Sequence, residues 1–315
     1  MRKWSEGRKM YVSVMVVFAI YALFFILFED YDRKFIRPFD EVSDWHLLFF
    51  SLIVMAGLAL LLHRYARKMD ERISHKQAAK ENQMRRELTQ NIAHELKTPV
   101  ASILGYTDTI LDDPQMSQET QRQFIQRTNA QARRLTALLQ DLSTLNRMDY
   151  AAHQITMERT DVSEIVSDIV RETAIAIEKR HMTLNNYLPQ SIVIQGNPSL
   201  IYSIFRNLVD NAINYAGECA VIEISAEQTD DSWLFHFSDN GVGIAPENLP
   251  RIFERFYRVE KSRSRQKSGE HGYGTMGGTG LGLAIVKNAV VLHGGTITGR
   301  LANNGGLVFD FTLKK

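Results

Sequence analysis

The sequence has almost no cysteine: Cys219 is the only one among 315 residues. No disulfide can form within the chain, which excludes a disulfide-stapled scaffold and fits a fold that works in a reducing compartment. An excess of either charge is also missing, because 37 Lys and Arg residues face 36 Asp and Glu residues. This balance gives no information about partners, and no nucleic-acid partner is predicted.

Charged residues are absent from two long stretches near the N-terminus. Residues 10–28 and 45–62 contain no Asp, Glu, Lys or Arg. At about 1.5 Å per residue, a helix of either length nearly spans the roughly 30 Å core of a bilayer. The first stretch is too long for the apolar part of a signal peptide, and no small-residue cleavage site follows it. We therefore predict a membrane anchor at 1–62 with two spans, 10–28 and 45–62.

The charges that flank these stretches predict their orientation. Four basic residues precede the first stretch and five follow the second within 63–76, whereas residues 29–44 carry six acids against three bases. Because basic flanks favour the cytoplasmic side, both termini are predicted to be cytoplasmic, in a multi-pass protein of the cell (inner) membrane. The 16-residue loop between the spans is too short to bury a core, so no extracellular sensing domain is predicted.

Glycine and proline are absent from residues 63–90, which are rich in charged helix formers. We predict a solvated helical linker at 63–84 that continues into a helical hairpin at 85–150. Pro114 and Ser117 mark the turn and the N-cap of the second helix. Apolar residues at helical spacing give each helix one seam, and a dimeric four-helix bundle would cover both. They are Leu88, Ile92, Leu96 and Ile103 in the first helix and Leu135, Leu138, Leu142 and Leu145 in the second.

The first helix of the hairpin contains a proline directly after the stretch HELKT. His94 is about 200° around the helix from Ile92 and about 160° from Leu96, so it points away from the seam. Glu95 could accept a hydrogen bond from the ring Nδ1 and leave Nε2 free, and Thr98 lies one turn on, on the same face. These neighbours indicate a nucleophile. The alternative is an ordinary surface histidine beside an inert proline kink.

Residues 151–315 alternate helices with short strands and predict an α/β sandwich with a mixed, mostly antiparallel sheet. The segments CAVIEISAE and SWLFHFSD are predicted strands, and TITGRL and LVFDFTL are predicted to form a hairpin around ANNGG. A G-x-x-x-x-G-K-[ST] loop is missing, and no strand leads directly into the glycine run GGTGLGL. These absences exclude a P-loop and a dinucleotide fingerprint.

Three other constellations indicate a nucleotide site. Asn207 and Asn211 share one helix face, where amide oxygens suit Mg²⁺ that is bound to a triphosphate. Asp239, in DNGVGI, could accept a hydrogen bond from the 6-amino group of adenine. The glycine run leaves backbone amides free to meet phosphate at a helix N-terminus. Taken singly, the first two could also be incidental asparagines and an ordinary Asx-Gly turn.

These motifs together carry a family resemblance. HELKTP resembles the phosphoacceptor box of bacterial sensor histidine kinases. The three constellations, with IFERFYR between the second and the third, resemble the N, G1, F and G2 boxes of their ATP-binding domain, which has the Bergerat fold shared with gyrase B, Hsp90 and MutL. The resemblance implies that His94 is phosphorylated, that Glu95 assists as general base, and that Thr98 supports dephosphorylation of a response regulator.

The same resemblance implies the residues that bind Mg-ATP. Asn207 and Asn211 would hold the metal, and Asp239 would bind the adenine. Tyr215, which follows the first box as it does in the family, would also belong to the nucleotide site. This sequence departs from the family pattern at Asn214, where the family often has lysine. It also has a long basic lid at 260–278. The lysines and arginines of the lid either reach the phosphates or belong to a solvated loop. The other implied contacts are Gly241, Gly243, Phe253 and Phe256 around the base and the lid, and Gly278, Thr279, Gly280, Leu281 and Gly282 at the phosphates.

The sequence thus predicts a homodimeric, membrane-anchored protein-histidine kinase. It would autophosphorylate His94 from ATP with Mg²⁺ and pass the phosphoryl group to an aspartate of a response regulator receiver domain. The region before the acceptor helix is too short for a full HAMP module, so the input is expected from the bilayer or from another membrane protein. The alternatives are a gyrase- or Hsp90-like ATPase, which has no need of HELKTP, and a nucleotide-binding scaffold without catalysis.

Overall fold

The computed structural model describes residues 45–259, 278–302 and 305–315, with three isolated positions at 19, 22 and 26. The chain forms two compact units, Met1–Glu87 and Leu88–Lys315. Within the described ranges no helix is both long and apolar enough to cross a membrane. The span at 10–28 lies outside the described residues apart from the three isolated positions, and both predicted spans stay predictions.

Two long helices precede the C-terminal domain. Helix α1 spans Trp45–Asp112 and helix α2 spans Gln118–Tyr150, where the helical linker and the hairpin were predicted. Ser117 caps α2 as expected, because its hydroxyl oxygen accepts a hydrogen bond from the amide of Thr120 at 3.2 Å. Helix α1 continues through Pro99 without a break in its assignment.

Residues 151–315 fold as the predicted α/β sandwich. Its helices are α3 (Val162–Lys179), α4 (Pro198–Tyr215) and α5 (Gly282–Leu292), with short 3₁₀ helices at Ala152–Gln154 and Pro246–Arg251. Its strands are β1 (Glu158–Asp161), β2 (Thr183–Asn186), β3 (Val193–Gly196), β4 (Val221–Gln228), β5 (Ser232–Asp239), β6 (Ile297–Leu301) and β7 (Leu307–Lys314).

The sheet topology confirms the mixed, mostly antiparallel arrangement. Five strands lie in the order β2-β4-β5-β7-β6, and only β2 and β4 are parallel neighbours. Strands β1 and β3 form a separate antiparallel pair. The register pairs Ile222 of β4 with Asp239, the last residue of β5. The strand therefore delivers Asp239 to one end of the sheet.

Alternation along the strands decides which face of the sheet is buried. Phe235 and Phe237 of β5 are fully buried, whereas Leu234, His236 and Ser238, which alternate with them, are half-buried. The ring of Phe205 from α4 lies 5.5 Å from that of Phe235 and 5.6 Å from that of Phe311. These edge-on aromatic contacts fix α4 on the sheet.

Helix α2 has a partner in the C-terminal domain, because it packs against α5. Leu138, Leu145 and Met148 are buried and belong to one apolar cluster with the core of that domain. Leu138 and Leu145 were predicted to line the hairpin seam. They belong to the cluster shared with the C-terminal domain, and Leu96 of the predicted α1 seam packs against the same cluster.

His293 joins the end of α5 to the start of α4. Its Nδ1 donates to the carbonyl of Ala289 at 2.7 Å, and its Nε2 accepts from the amide of Asn197 at 3.0 Å. Asn197 is the N-cap of α4. Burial lowers the pKa of His293, although the carbonyl of Ala289 opposes the shift. The neutral ring is therefore the form that the fold requires.

We expect His293 to make the domain less stable in mild acid. The unfolded chain takes up a proton on this residue near pH 6.5, but the folded chain does so only at lower pH. Stability is therefore complete above about pH 6.5 and falls as the pH drops below it. Melting temperatures across this range should fall less steeply in His293→Gln than in the wild type, and His181→Gln, at an exposed histidine, is the control. Parallel pH profiles for wild type and His293→Gln would contradict this assignment.

Candidate functional site

The predicted phosphoacceptor lies on α1 with its imidazole exposed, as expected for His94. The carboxylate of Glu95 accepts from the guanidinium of Arg134 on α2 at 3.2 Å, and the two side chains are 27% and 16% exposed. The hydroxyl of Thr98 donates to the backbone carbonyl of His94 at 3.3 Å. The ring of His94 is therefore accessible, while Glu95 is held by α2 in this conformation.

Helix α4 carries both predicted metal ligands, Asn207 and Asn211, which are half-buried one turn apart. The Nδ2 of Asn207 donates to the carbonyl of Ser203 at 2.7 Å, which fixes the amide plane. A Cβ on Gly282 would lie 2.6 Å from the Oδ1 of Asn207, so the first residue of α5 has no room for a side chain. The asparagine face and the glycine run, predicted separately, are adjacent in space.

Asp239 is 6% exposed at the end of β5. Its carboxylate accepts from the amide of Gly241 at 3.0 Å and from that of Leu307, and burial raises its pKa although both amides oppose the shift. Gly241 lies against α4, where a Cβ would come within 2.3 Å of the carbonyl oxygen of Ala216, and Gly243 follows with a φ of +62°. A buried carboxylate with lone pairs still available suits the amino group of a purine.

The glycine run at 278–282 is joined to two other predicted boxes. The amide of Gly278 donates to the hydroxyl of Tyr215, at the end of α4, at 3.0 Å. The amide of Phe256 donates to the carbonyl of Gly280 at 2.8 Å. Gly280 and Phe256 both have positive φ angles, +75° and +62°. Tyr215 and Phe256 therefore meet at the predicted phosphate-binding run.

Two residues of the run are fixed by their neighbours. The Oγ1 of Thr279 accepts from the amide of Leu281 at 3.2 Å and donates to the carboxylate of Asp141, on α2, at 2.7 Å. Leu281 is fully buried. Phe253, predicted for the lid, packs edge-on against Phe309 at 6.2 Å and so also belongs to the core. The lid residues 260–277 lie outside the described residues.

Sequence reasoning missed Arg258, the last residue of IFERFYR. Its Nε and Nη2 are buried without a hydrogen-bond partner in the described part of the chain. Its Cγ would lie 3.4 Å from a Cβ on Gly280, so the stem packs on the glycine run. A buried cation without acceptors is costly, and phosphate oxygens supply acceptors that match a guanidinium. The signal in the sequence was a second arginine two residues after Phe256.

The described residues fit ATP with a magnesium ion. Neutral amide oxygens of Asn207 and Asn211 suit a metal whose charge the phosphates balance. The guanidinium of Arg258 and the start of α5 suit phosphate oxygens, and Asp239 suits the amino group of adenine. Asn214, where a lysine was expected, donates to the carbonyl of Asp210 at 2.7 Å and adds no cation.

Replacing Arg258 should weaken nucleotide binding without unfolding the domain. Loss of one charge-assisted contact predicts that Arg258→Ala raises the Kd for ATP by about 10- to 100-fold, and Arg258→Lys by less. The melting temperature should not fall, because the guanidinium has no partner among the described residues. Calorimetric titration measures the Kd, and Arg251→Ala is the matched control, since Arg251 is exposed and stacks on Tyr257 at 4.3 Å. Equal affinities of wild type and Arg258→Ala would count against the role of Arg258.

Two family descriptions match the chain. Residues 84–151 match the His Kinase A (phospho-acceptor) domain, and residues 196–315 match the histidine kinase-, DNA gyrase B- and HSP90-like ATPase family. The first match contains His94 and the α1–α2 hairpin, and the second contains α4, the glycine run and Asp239. The first match coincides with the hairpin predicted at 85–150, and the second lies within the predicted domain 151–315 but begins only at residue 196.

Curated relatives and solved structures agree with these matches. The sensor-like histidine kinase SenX3 of Mycolicibacterium smegmatis is 34% identical over 232 residues, which cover 73% of this chain and 56% of SenX3. The chain thus spans little more than half the length of this relative. The histidine kinase AdeS of Acinetobacter baumannii is 22% identical with a TM-score of 0.53, covering 70% of this chain and 97% of that one. Histidine kinase ThkA, in complex with response regulator protein TrrA, is 21% identical with a TM-score of 0.56, covering 73% and 61%.

The two similar structures support the fold alone, because their sequence identities to this chain are only 22% and 21%. The similarity to histidine kinases rests on the order of the two matched domains and on the sequence identity with SenX3. The two descriptions name a phospho-acceptor domain followed by an ATPase domain, and in this chain an exposed histidine on a helical hairpin precedes the candidate nucleotide site. The chain therefore contains the phospho-acceptor domain and the ATPase domain that these two family descriptions name.

Proposed function

We propose that the chain is an ATP-dependent protein-histidine kinase that phosphorylates its own His94. The observation that carries this proposal is one compact unit with two parts. One part is an exposed histidine on a hairpin, and the other is a site where Asp239, Asn207, Arg258 and the glycine run converge. An adenine-selective carboxylate, neutral metal ligands and an unpaired guanidinium make an ATP site, and the accessible imidazole is its acceptor.

Each group has a distinct task in this proposal. Mg-ATP, when bound, supplies the γ-phosphoryl group. Asp239 would orient the purine, Asn207 and Asn211 would hold the metal, and Arg258 with the start of α5 would neutralise phosphate charge. The Nε2 of His94 is the nucleophile, and Nδ1 keeps its proton. Glu95 stabilises the cationic ring through that proton once its carboxylate leaves Arg134.

Helix α2 relates the acceptor to the nucleotide site. It carries Arg134, the partner of Glu95, and Asp141, the partner of Thr279. These two positions are seven residues apart, which corresponds to about 10 Å along a helix. We infer that the ATPase domain moves along and away from the hairpin to bring the triphosphate to His94.

We further propose a homodimer and a response regulator as partners. Apolar side chains remain exposed on the hairpin and offer a surface to a second copy in a four-helix bundle. They are Val100, Leu104, Leu111, Ile125 and Leu139, exposed by 41–75%. The ThkA–TrrA complex is a precedent for a response regulator on a kinase of this fold. Transfer would go to an aspartate of the receiver domain, and Thr98 would support the reverse, phosphatase reaction.

The membrane anchor belongs to the same proposal. The charge-free stretches 10–28 and 45–62 and the basic flanks favour a multi-pass protein of the cell membrane, with both termini in the cytoplasm. The input would then come from the bilayer or from another membrane protein. Alkaline extraction of membranes from expressing cells tests the anchor: recovery of the chain in the soluble fraction would contradict it.

Incubation of the full-length chain with γ-labelled ATP tests the proposed activity. A kinase gives a label on the protein that is acid-labile and alkali-stable, as a phosphoramidate is, and the label moves to an added receiver domain. A gyrase- or Hsp90-like ATPase gives phosphate release without labelling, and a nucleotide-binding scaffold gives neither. The His-Glu pair favours the first outcome, and either of the others would overturn the proposal.

A further inference from the structure

The phosphoacceptor hairpin reaches into the nucleotide site. Asp141, on α2, accepts a hydrogen bond from the hydroxyl of Thr279 at 2.7 Å. Thr279 lies within the glycine run, three residues before Gly282, where α5 and the predicted helical phosphate site begin. The same hydroxyl oxygen accepts from the amide of Leu281. Both hydrogen-bonding roles of the hydroxyl are thus in use while α2 is docked.

The carboxylate of Asp141 lies in an unfavourable environment. Burial raises its pKa, the bond from Thr279 opposes this shift, and the nearby charge of Asp210 adds to it. Asp210 lies on α4 between Asn207 and Asn211. Asp141 is therefore close to the helix that carries the metal ligands, and it brings a second acidic group to that side of the site.

A second acid of α2 holds the docked domain further along the helix. Both carboxylate oxygens of Asp149 accept from the guanidinium of Arg255, at 2.7 and 2.8 Å, and one also accepts from Asn288 of α5 at 3.4 Å. Between Asp141 and Asp149, Leu145 is buried in the shared apolar cluster. The contact between α2 and the C-terminal domain therefore combines the hydrogen bonds of Asp141 and Asp149 with the apolar packing of Leu145.

We propose that Asp141 takes the place of a nucleotide phosphate on Thr279, so that docking of α2 and binding of nucleotide oppose each other. A carboxylate and a phosphate are both anions that seek the same hydrogen-bond donors. A triphosphate on the glycine run would meet the fixed charge of Asp141 at short range and with little water between them. The docked conformation is therefore autoinhibited, and ATP releases the domain for its reaction with His94. This inference rests on the proposed function, because it takes the glycine run as the phosphate site.

Nucleotide affinity tests this inference directly. The coupling between docking and binding is reciprocal, so removal of either acid should tighten binding. For the full-length chain we expect Asp141→Asn to lower the Kd for ADP by about tenfold, and Asp149→Asn to lower it by a smaller factor. Glu178→Gln, which removes the same charge from an exposed position on α3, should leave the Kd unchanged.

The outcomes separate the inference from the proposed function. If the wild type binds ADP but Asp141→Asn binds it no more tightly, the inference is wrong and the proposed function stands. If Asp149→Asn has no effect, docking is not what opposes the nucleotide, and the inference is equally wrong. If neither the wild type nor any variant binds ADP, the proposed function is wrong, and the inference, which depends on it, is wrong as well.

Hydrogen exchange on the wild-type chain gives a second test that needs no substitution. Undocking removes the cover from α2 around Leu138, Leu145 and Met148, which lowers its local stability. Saturating ADP should therefore speed amide exchange in residues 138–149 several-fold, while residues 118–128, at the other end of α2, serve as the internal reference. Unchanged or slower exchange at 138–149 in the presence of ADP would overturn the inference.

Discussion

His94→Gln is expected to abolish the transfer of labelled phosphate from ATP to the full-length chain. Glutamine keeps the length and polarity of the side chain and is a good helix former, but it has no nucleophilic nitrogen. The label should fall by at least about a thousandfold, to the background of the assay. Because His94 is exposed on α1, the substitution should not disturb the fold.

Two measurements make this result specific. The Kd for ATP should be the same in His94→Gln and in the wild type, since the nucleotide groups lie on α4, β5 and the glycine run. His63→Gln, at a second exposed histidine of α1, should be labelled like the wild type. Persistent acid-labile label on His94→Gln would show that another residue is the acceptor.

Local signals in the sequence predicted most of the fold. Ser117 caps α2, Asp161 caps α3 by accepting from Ser163 at 2.9 Å, and Pro198 opens α4. The hairpin of β6 and β7 follows from its alternating apolar residues and its glycine-rich turn. Each of these elements is determined by residues within a few positions of one another, which is why one sequence sufficed to predict them.

Two strands could not be read in this way. Strand β1 has the sequence ERTD and strand β2 has TLNN, which are short, polar and without apolar alternation. They are strands because β1 pairs with β3 and β2 pairs with β4. Pairing partners of this kind are set by the tertiary fold, and short polar segments carry little strand propensity of their own.

The candidate site shows the same difference between features set by neighbouring residues and features set by the tertiary fold. The sequence motifs marked the residues that we propose to bind the nucleotide, because each motif is a short run with its own chemistry. The ties between the hairpin and the rest were invisible: Arg134 and Glu95 are 39 residues apart, and Asp141 and Thr279 are 138 apart. Residues that act through such distant pairs have no local pattern, and only the packing of α2 against α1 and against the C-terminal domain brings them together.

The second large effect is expected at Asp239, where Asp239→Asn should lower the affinity for ATP by about 100-fold. The new amide offers a donor where the 6-amino group of adenine needs an acceptor, and an unpaired polar group in a buried site is strongly rejected. The same donor suits the 6-oxygen of guanine. The ratio of the ATP and GTP affinities should therefore fall further than the ATP affinity alone requires. Titration of both nucleotides into the full-length chain measures it, with Asp230→Asn at an exposed turn as the control.

The melting temperature of Asp239→Asn should not decrease, although its affinity for ATP does. This combination is expected of a residue whose role is binding and not stability. Burial raises the pKa of Asp239, so ionisation of the carboxylate that is proposed to bind adenine costs free energy in the folded domain. Removing the charge relieves that cost, and the new amide oxygen can still accept from the amide of Gly241. The melting temperature of Asp239→Asn without nucleotide should therefore not fall below that of the wild type. Loss of affinity together with a clear fall in melting temperature would instead mean that Asp239 holds the strand end in place.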